Sequence, residues 1–347
     1  MTSLSGKIAV VTGGARGIGD GIAARLVEDG ARVFALDKIG PEQARAGVTW
    51  LETDVARPDS VAAAFRVVDE QAGQIDILVN NAGIQRVGLV GKIAFSDFTD
   101  VVATHLYGFF LCASEAVPRM VRQGRGGAIV SIASTAAFVG LPGRGPYCAA
   151  KAGILGLTRA LSLEAAPAKI RVNAVAPGFT RTKLVEQGIA DGSLREDWLV
   201  ARVPMHRLAE VEEIAEAVRF LSGAESSYMT GQTIVVDGGW TVQGLPEAPD
   251  WLQAANRTFP KTAGAKPKML STLKMPKVGD AVDEVVIREI KVERGATVGK
   301  GETMFVVETD KAQVEVPAPA AGTISDVLIA VGDEVKTGAP TIVLDVK

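Results

Sequence analysis

The chain has 347 residues, of which 47% are hydrophobic and 22% are charged, and this ordinary globular composition excludes a disordered or fibrous protein. The 37 Lys and Arg residues against 40 Asp and Glu residues give a net charge of −3. Phosphate backbones and anionic lipids require a positive excess, so we expect neither nucleic acid nor a membrane surface as the main partner.

The N-terminus runs directly into the apolar segment Lys7–Thr12 and shows no pattern of a cleavable signal peptide. No uninterrupted apolar run reaches the roughly 18 residues that a membrane span needs. Two cysteines, Cys112 and Cys148, are too few for a disulfide framework, and no residue cluster has the spacing of zinc ligands. We therefore expect a cytoplasmic protein without a metal site.

Short apolar segments alternate with helical patterns from residue 1 to about residue 243, which predicts an α/β fold with a doubly wound parallel sheet covered by helices on both faces. The predicted strands are Lys7–Thr12, Arg32–Leu36, Ile75–Asn80, Gly127–Ile132, Arg171–Val175 and Thr233–Val236. The predicted helices are Ile18–Asp29, Ser60–Ala72, Phe95–Arg122, Tyr147–Ala165 and Glu210–Ser222.

A glycine-rich turn, Thr12-Gly-Gly-Ala-Arg-Gly-Ile-Gly19, lies between the first predicted strand and the first predicted helix. Gly13, Gly17 and Gly19 permit a tight turn, and the helix N-terminus offers free amides to a pyrophosphate. Such a turn alone is also compatible with a plain loop, but its position at the start of a βα unit favours a dinucleotide site.

Asp37 ends the second predicted strand, 18 positions after Gly19. A carboxylate there accepts hydrogen bonds from ribose hydroxyls and repels a 2′-phosphate, which favours NAD over NADP. Arg16 is a basic residue nearby and weakens that preference. The alternative for Asp37 is a solvated charge at a strand end.

Tyr147 and Lys151 are four residues apart on a predicted helix, so their side chains share one face. We expect the lysine ammonium to lower the pKa of the phenol, as a general acid/base working near neutral pH requires. Ser134 follows a predicted strand, where its hydroxyl could hold a substrate oxygen. A Tyr–Lys pair alone is common on helices, and the glycine-rich turn makes the catalytic interpretation the stronger one.

Residues 1–243 resemble the short-chain dehydrogenase/reductase family, which implies NAD(P)-dependent interconversion of an alcohol and a ketone. The matching segments are the glycine-rich turn, Asp54-Val55, Asn80-Asn-Ala-Gly83, Ser134, Tyr147-Cys-Ala-Ala-Lys151, Asn173, Pro177-Gly-Phe-Thr-Arg-Thr182 and Asp237-Gly-Gly239. The resemblance implies that Tyr147 moves the proton, Ser134 orients the carbonyl and Lys151 binds the nicotinamide ribose. It also implies a homo-oligomer, commonly a tetramer, built on the two long central helices.

The resemblance further assigns a set of cofactor-binding residues. Besides Tyr147 and Lys151, they are Gly13, Arg16, Gly17, Ile18, Gly19, Asp37, Asp54, Val55, Asn81, Ala82, Gly83, Pro177, Gly178, Phe179 and Thr182.

One position departs from the family pattern. The family usually carries Asn where this chain has His105, within Thr104-His105-Leu106. That Asn is thought to kink the helix and hold a water that passes protons to the lysine. An imidazole both donates and accepts, so His105 could take its place, or it could simply be a packed, hydrogen-bonded side chain. The segment Arg181–Met205 is predicted to fold over the substrate as a lid.

The remainder of the chain changes character twice. Residues 244–268 are rich in Pro, Ala, Gly and Lys and are predicted to be a linker. Residues 269–347 are predicted to form an all-β domain with an internal repeat, because Gly295, Val298 and Gly301 recur 37 positions later as Gly332, Val335 and Gly338.

The stretch Glu308-Thr-Asp-Lys-Ala312, centred between the two half-units, resembles the modified turn of a lipoyl domain. The resemblance implies lipoate in amide linkage to Lys311, attached by a lipoate-attaching enzyme. Taken alone, Lys311 would be a solvated turn lysine. The related biotin-carrier domains usually carry Met on both sides of the lysine, and this chain does not.

Three hypotheses about function follow. The first is an NAD-dependent dehydrogenase tethered by its lipoyl domain to a 2-oxo acid dehydrogenase-type complex or a lipoate-reducing partner. The second makes the lipoyl arm a carrier that presents a covalently bound keto or hydroxy group to the catalytic domain. The third is a non-enzymatic redox sensor or scaffold, against which the Ser134, Tyr147 and Lys151 set argues.

Overall fold

A computed structural model describes residues 4–192, 194–243, 269–278, 284–309 and 312–346. The predicted linker 244–268 and the predicted modification site Lys311 lie outside the described residues. The chain divides into two compact units, Met1–Ala248 and Pro249–Lys347, and each is described by itself.

The first unit is built on a seven-stranded sheet whose strands all pair in parallel, in the order β3-β2-β1-β4-β5-β6-β7. The strands are β1 Ile8–Thr12, β2 Arg32–Asp37, β3 Val48–Glu52, β4 Ile77–Asn80, β5 Gly127–Ile132, β6 Ile170–Pro177 and β7 Thr233–Val236. The direction of strand addition reverses between β1 and β4, and in such sheets ligands bind beside the carboxyl ends of the strands at that point.

Eight helices flank the sheet in the described part of this unit. They are α1 Gly17–Glu28, α2 Pro58–Ala72, α3 Phe95–Val102, α4 Gly108–Gln123, α5 Gly145–Ala165, α6 Lys183–Ala190, α7 Glu196–Val200 and α8 Val211–Ser222. Side chains of α2, α4 and α5 form one hydrophobic core against the sheet, and side chains of α1 and α8 form a second core on the opposite face.

Local sequence explains several of these element boundaries. All five residues of β1 are buried, as expected for a strand covered on both faces. Helix α8 begins with a capping box in which Glu210 and Glu213 satisfy each other's backbone amides. Helix α2 starts with Pro58 in its first turn and ends at Gly73, whose left-handed backbone suits glycine.

The doubly wound architecture predicted from the sequence is confirmed, with one additional edge strand, β3. The helix predicted over Phe95–Arg122 is interrupted, because residues Ala103–Tyr107 form a π-helical turn between α3 and α4. The continuous stretch Phe95–Gln123 is the single helix in the described residues that is long and apolar enough to cross a membrane. This is a weak indication, because core helices pass the same test and α4 contributes Phe109, Cys112 and Met120 to the core.

The second unit contains two antiparallel four-stranded sheets, ordered β10-β13-β15-β8 and β12-β11-β9-β14. The strands are β8 Met269–Lys274, β9 Glu284–Ile290, β10 Thr297–Val298, β11 Thr303–Glu308, β12 Gln313–Pro317, β13 Gly322–Val327, β14 Glu334–Lys336 and β15 Pro340–Val346. A shared core that includes Ile287, Phe305, Ile324 and Leu344 stabilises the unit.

The internal repeat of 37 residues is a structural repeat. Strands β9, β10 and β11 correspond to β13, β14 and β15, which hold the equivalent places in the other sheet. The Gly295 amide donates to the Ile324 carbonyl, and 37 positions on the Gly332 amide donates to the Ile287 carbonyl, both at 2.8 Å. Both glycines have positive φ, 92° and 98°, which side chains with a Cβ rarely adopt.

Candidate active site

The glycine-rich turn between β1 and α1 has no room for side chains at its key positions. A Cβ on Gly19 would lie 2.0 Å from the Gly13 carbonyl oxygen, and a Cβ on Gly13 would lie 2.9 Å from the Ala82 Cα. Arg16, the residue before the helix, makes no side-chain cap, so the first amides of α1 are not satisfied by a capping side chain. The turn is thus shaped to bring backbone amides against a phosphate group.

The segment that follows β4 stabilises the glycine-rich turn through hydrogen bonds. The Asn81 side chain donates from Nδ2 to the carbonyl oxygens of Thr12 and Gly13, both at 3.0 Å. The backbone amides of Asn81 and Ala82 donate to the Thr12 hydroxyl at 2.9 and 3.0 Å. Asn81 and Ala82 therefore lie beside the predicted cofactor site and also hold its shape.

Two carboxylates lie where the adenosine end of a dinucleotide is expected. Asp37 ends β2 and accepts from the backbone amides of Ala15 and Ile39, each at 3.3 Å. Asp54 follows β3 and forms an ion pair with Lys38 at 3.0 Å. Both acids are at the carboxyl edge of the sheet. The next residue, Val55, packs its side chain into the core, so its backbone is what remains available to a ligand.

The segment after β6 approaches the glycine-rich turn from the other side. Thr182 caps α6 by accepting from the Val185 amide, and its Cγ2 lies 3.8 Å from the place where a Cβ on Gly17 would be. A Cβ on Gly178 would come within 2.9 Å of the Asp237 Cα, so this position needs glycine. The Phe179 ring packs on Trp240 with centroids 5.0 Å apart. The predicted residues Pro177 to Thr182 are thus brought to the same site.

Ser134 and Tyr147 meet at the carboxyl end of β5. Ser134 precedes a short 3₁₀ turn, Thr135–Ala137, and its hydroxyl accepts from the Ala136 amide at 3.1 Å. Burial raises the pKa of the Tyr147 phenol above its ordinary value, and hydrogen bonds from Ser134 and Gln85 and the charge of Arg144 oppose this rise. The Ser134 hydroxyl and the Tyr147 phenol are therefore close enough to act on one substrate oxygen.

Lys151 lies one helical turn after Tyr147 and is almost completely buried. Its ammonium donates to the Ile132 carbonyl at 2.5 Å and lies 5.5 Å from the centroid of the Tyr147 ring. Burial lowers the pKa of Lys151 to about 7. Our expectation that the ammonium gives Tyr147 a lowered pKa is wrong for this structure. Desolvation acts on both groups, and it disfavours the phenolate and the ammonium alike.

His105 is the central residue of the π-helical turn, and its ring meets the Tyr147 ring edge-to-face with centroids 5.4 Å apart. Its Nε2 lies 2.8 Å from the carbonyl oxygen and 3.1 Å from the amide nitrogen of Ile84. The Nδ1 atom is buried and has no hydrogen-bond partner among the described residues. Burial and then the charge of Lys151 lower the pKa of His105 to about 3, so the imidazole is neutral at physiological pH.

The loop from β4 to α3 supplies site residues that the sequence did not single out. Gln85 lies close enough to the Tyr147 phenol to oppose the rise of its pKa, and Ile84 contacts the His105 ring through its carbonyl and amide groups. Within the same loop, the Gly88 amide donates to the Gly143 carbonyl at 3.0 Å. This loop has no periodic pattern, so no sequence signal marks these contacts.

The predicted lid, Arg181–Met205, contains the two helices α6 and α7. Arg181 bonds to Glu196 at 2.5 Å and to Glu210 at 3.4 Å, which ties the lid to the start of α8. Lys183 forms an ion pair with Glu42 in the connection that follows β2. Leu184 and Trp198 are exposed. Ion pairs of Arg181 and Lys183 therefore anchor the lid near its start, and its apolar side chains Leu184 and Trp198 are exposed.

In the second unit, strands β11 and β12 pair antiparallel, and the described residues next to the predicted modification site are Thr309 and Ala312. The Thr309 amide donates to the Ala312 carbonyl at 2.9 Å, and the Ala312 amide donates to the Thr309 hydroxyl at 3.1 Å. These two residues flank Asp310 and Lys311, which lie outside the described residues. The two described residues on either side of the predicted site are thus joined by hydrogen bonds.

Comparison with known proteins yields two family matches. The family described as "Enoyl-(Acyl carrier protein) reductase" matches residues 13–241, and the family described as "Biotin-requiring enzyme" matches residues 271–344. The 3-oxoacyl-[acyl-carrier-protein] reductase FabG of Staphylococcus aureus is 40% identical over 243 residues, covering 67% of this chain and 97% of that protein. FabG of Chlamydia muridarum is 40% identical over 246 residues, covering 68% of this chain and 98% of that protein.

Solved structures give the same match over the first unit. The ligand-free aldohexose dehydrogenase of Thermoplasma acidophilum has a TM-score of 0.68 and 32% identity, and the match covers 72% of this chain and 100% of that one. A short-chain type dehydrogenase/reductase from Mycobacterium marinum has a TM-score of 0.64 and 34% identity, with coverage of 70% and 98%.

Proposed function

The chain belongs to the short-chain dehydrogenase/reductase family, and from this premise we propose that it is an NAD-dependent enzyme that interconverts a secondary alcohol or other hydroxy compound and its ketone. The observation that carries the proposal is the convergence of Ser134, Tyr147 and Lys151 at the carboxyl end of β5, beside the glycine-rich turn. Family membership makes the chain an NAD(P)-dependent oxidoreductase, which leaves the non-enzymatic scaffold hypothesis without support.

The proton chemistry follows from the two titratable side chains. In reduction, the Tyr147 phenol gives its proton to the substrate oxygen, which the Ser134 hydroxyl holds in place. In oxidation, the Tyr147 phenolate takes the hydroxyl proton. A charged Lys151, whose Nζ lies 5.5 Å from the centroid of the Tyr147 ring, would stabilise that phenolate. A bound nicotinamide dinucleotide supplies or accepts the hydride.

The residues present fit such a dinucleotide. The glycine-rich turn leaves a space that a Cβ at Gly13 or Gly19 would fill. A pyrophosphate bound there would accept hydrogen bonds from the first backbone amides of α1. Asp37 would accept hydrogen bonds from the adenosine ribose hydroxyls. Its carboxylate would also repel the extra phosphate of NADP, which is the basis of our preference for NAD.

We assign His105 to the proton relay behind Lys151. When Nε2 donates to the Ile84 carbonyl, the buried Nδ1 is left as a neutral acceptor close enough to feel the Lys151 charge. With a pKa of about 3, the imidazole stays neutral, so it serves as a hydrogen-bond partner and not as a charged acid.

For the second unit, the proposal is lipoate on Lys311, which tethers the dehydrogenase to a partner such as a 2-oxo acid dehydrogenase-type complex. The family match over residues 271–344 supports a carrier domain with a lysine-linked cofactor. The choice of lipoate over biotin depends on the Asp310-Lys311-Ala312 sequence. Intact-mass analysis of the protein from its own cells distinguishes the two additions.

A second candidate function is favoured by the names of the relatives, which are reductases of acyl groups on a carrier protein. In that case, the Lys311 arm would present a bound 3-oxo or 3-hydroxyacyl group to Tyr147 within the same chain. Truncation to residues 1–243 separates the candidates. A truncated enzyme that oxidises a free alcohol at the full rate excludes an obligatory carrier arm, whereas a truncated enzyme that folds and binds NAD but no longer turns over the free alcohol supports one.

We also propose a homotetramer. An apolar cavity of about 460 Å³ lies on the α4–α5 side, lined in part by Leu106, Tyr107, Phe110 and Leu157, and Phe110 is 59% exposed. A separate exposed region adjoins the edge strand β7, where Tyr228 is fully exposed and Val235 is 40% exposed. A tetramer with two-fold axes uses two different faces of each protomer, and these two exposed regions are our candidates for them.

A further inference from the structure

A second cavity, unrelated to the proposed catalysis, lies at the amino end of the strands, on the edge opposite the active site. It has a volume of about 270 Å³ and is lined by the starts of β4, β5 and β6 and by the end of α8. The lining includes four cationic residues, Lys7, Arg125, Lys169 and Arg171, and one carboxylate, Asp76.

Asp76 is already satisfied by its neighbours. It forms an ion pair with Lys7 at 3.2 Å, lies 3.9 Å from Arg125, and accepts from the Ile8 amide at 2.9 Å and from Gln74 at 3.2 Å. The charge of the Asp76 carboxylate is therefore already balanced by groups in the wall of the cavity. The charges of Lys169 and Arg171 have no carboxylate partner within ion-pair distance in the described part of the chain.

Arg171 is half-buried and oriented by neutral groups. Its guanidinium donates to the Ser226 hydroxyl at 2.8 Å and to the Gly223 carbonyl at 2.9 Å. Burial lowers the pKa of Arg171, and Glu225, which raises it, is itself paired with Arg219 at 2.5 Å. Ser226 and Gly223 thus fix the orientation of the guanidinium, and Glu225, which is shared with Arg219, offsets only part of its charge.

Lys169 is also fixed at the backbone. It has φ of +60°, a left-handed conformation that is uncommon outside glycine, asparagine and aspartate. A Cβ on residue 126 would lie only 2.4 Å from the Lys169 carbonyl oxygen. Glycine at 126 therefore leaves room for the Lys169 backbone beside the cavity.

We propose that this cavity binds the phosphoryl group of a small ligand, either inorganic phosphate or a phosphomonoester. The lining carries three net positive charges, four cations against Asp76, and a phosphate dianion matches that excess. Guanidinium forks such as those of Arg125 and Arg171 suit phosphate oxygens. The volume is below the usual range of roughly 300–1,000 Å³ for drug-sized ligands, so the ligand is small. The proposal is independent of the catalytic one.

The test is the melting temperature of the full chain against phosphate concentration, at constant ionic strength with chloride as reference. Saturating NAD is present throughout, so that phosphate cannot act at the glycine-rich turn. Inorganic phosphate and glycerol 1-phosphate are titrated separately. We expect a saturable rise of the melting temperature with either probe. A lower half-saturating concentration for glycerol 1-phosphate than for inorganic phosphate would show that the organic part is also bound.

The informative variant is Lys169→Asn, because Asn tolerates the left-handed backbone while the charge is lost. We expect it to raise the half-saturating phosphate concentration about tenfold, and Arg125→Gln to act in the same direction. The matched control is Arg66→Gln, an exposed cation on α2 outside the cavity, which should leave the titration unchanged. The proposal fails if the wild-type chain shows no saturable rise, or if Lys169→Asn titrates like the wild type.

Discussion

The imidazole of His105 occupies the space that a side chain at Gly83 would need. A Cβ on Gly83 would lie 2.3 Å from His105 Cε1 and 2.9 Å from Nδ1, and both are well inside contact distance. The loop after β4 and the π-helical turn before α4 are therefore fitted to each other. We expect Gly83→Ala to displace the imidazole and to lower turnover about tenfold or more through the loss of site geometry.

The smaller Asn side chain provides the matched control for this fit. His105→Asn should keep most of the activity, since an amide can also donate and accept, while His105→Leu should lose much of it. In the double variant Gly83→Ala/His105→Asn, turnover should recover relative to Gly83→Ala alone. Turnover of each variant, measured alongside its melting temperature, separates catalysis from folding. Full activity in His105→Leu would remove His105 from the mechanism.

The raised pKa of Tyr147 gives the two reaction directions different pH profiles. Oxidation needs the phenolate, which is scarce below the raised pKa, so kcat/KM for the alcohol should rise with pH by up to about tenfold per unit from pH 7. Reduction needs the protonated phenol, so its kcat/KM should change little over the same range. Steady-state rates in both directions test this. An oxidation rate that is flat between pH 7 and pH 9 would contradict the assignment of Tyr147 as the base.

Asp37 sets the dinucleotide preference in our account. Asp37→Ser removes the carboxylate that would accept from the ribose and repel a 2′-phosphate, so the ratio of kcat/KM for NAD to that for NADP should fall about tenfold or more. Asp20→Asn, which removes an exposed carboxylate on α1, is the control and should leave the ratio unchanged. An unchanged ratio in Asp37→Ser would remove the basis for preferring NAD.

The proposed tetramer can be tested at Phe110. Phe110→Glu places a charge in the apolar cavity on the α4–α5 side, and a buried unpaired charge is costly, so we expect the tetramer to dissociate to smaller species. Ile39→Glu changes a comparably exposed apolar residue, 56% exposed, outside that cavity, and should not alter the mass. Light scattering after size-exclusion chromatography gives the mass, and a wild-type monomer would contradict the proposal.

The parts of the fold that the sequence predicted correctly are those with strong local patterns. Apolar, largely β-branched runs located six of the seven strands of the parallel sheet, and the 37-residue repeat located the two related sheets of the second unit. Strand β3 was missed because its sequence, Val-Thr-Trp-Leu-Glu, carries no uninterrupted β-branched apolar run, whereas the other edge strand, β7, reads Thr-Ile-Val-Val. The π-helical turn at Ala103–Tyr107 was missed because the helical pattern continues through it.

In the candidate site, too, the residues with a local sequence pattern were predicted and those without one were missed. The side chains of Ser134, Tyr147 and Lys151 were identified from their spacing, and the structure brings them together at the end of β5. The contacts of Gln85 and Ile84 depend on an irregular loop, which no periodicity predicts. The direction of the Tyr147 pKa shift depends on burial, and burial is a property of the folded chain that the i, i+4 spacing does not give.

The central claim is that the Tyr147 phenol moves the substrate proton. Tyr147→Phe removes only that hydroxyl, so we expect NAD to bind with an affinity within about twofold of the wild type while turnover falls about a hundredfold or more. The measurement is NADH absorbance across a panel of secondary alcohols and 3-hydroxyacyl thioesters, with NAD binding followed by calorimetry. Turnover by Tyr147→Phe equal to that of the wild type would contradict the account.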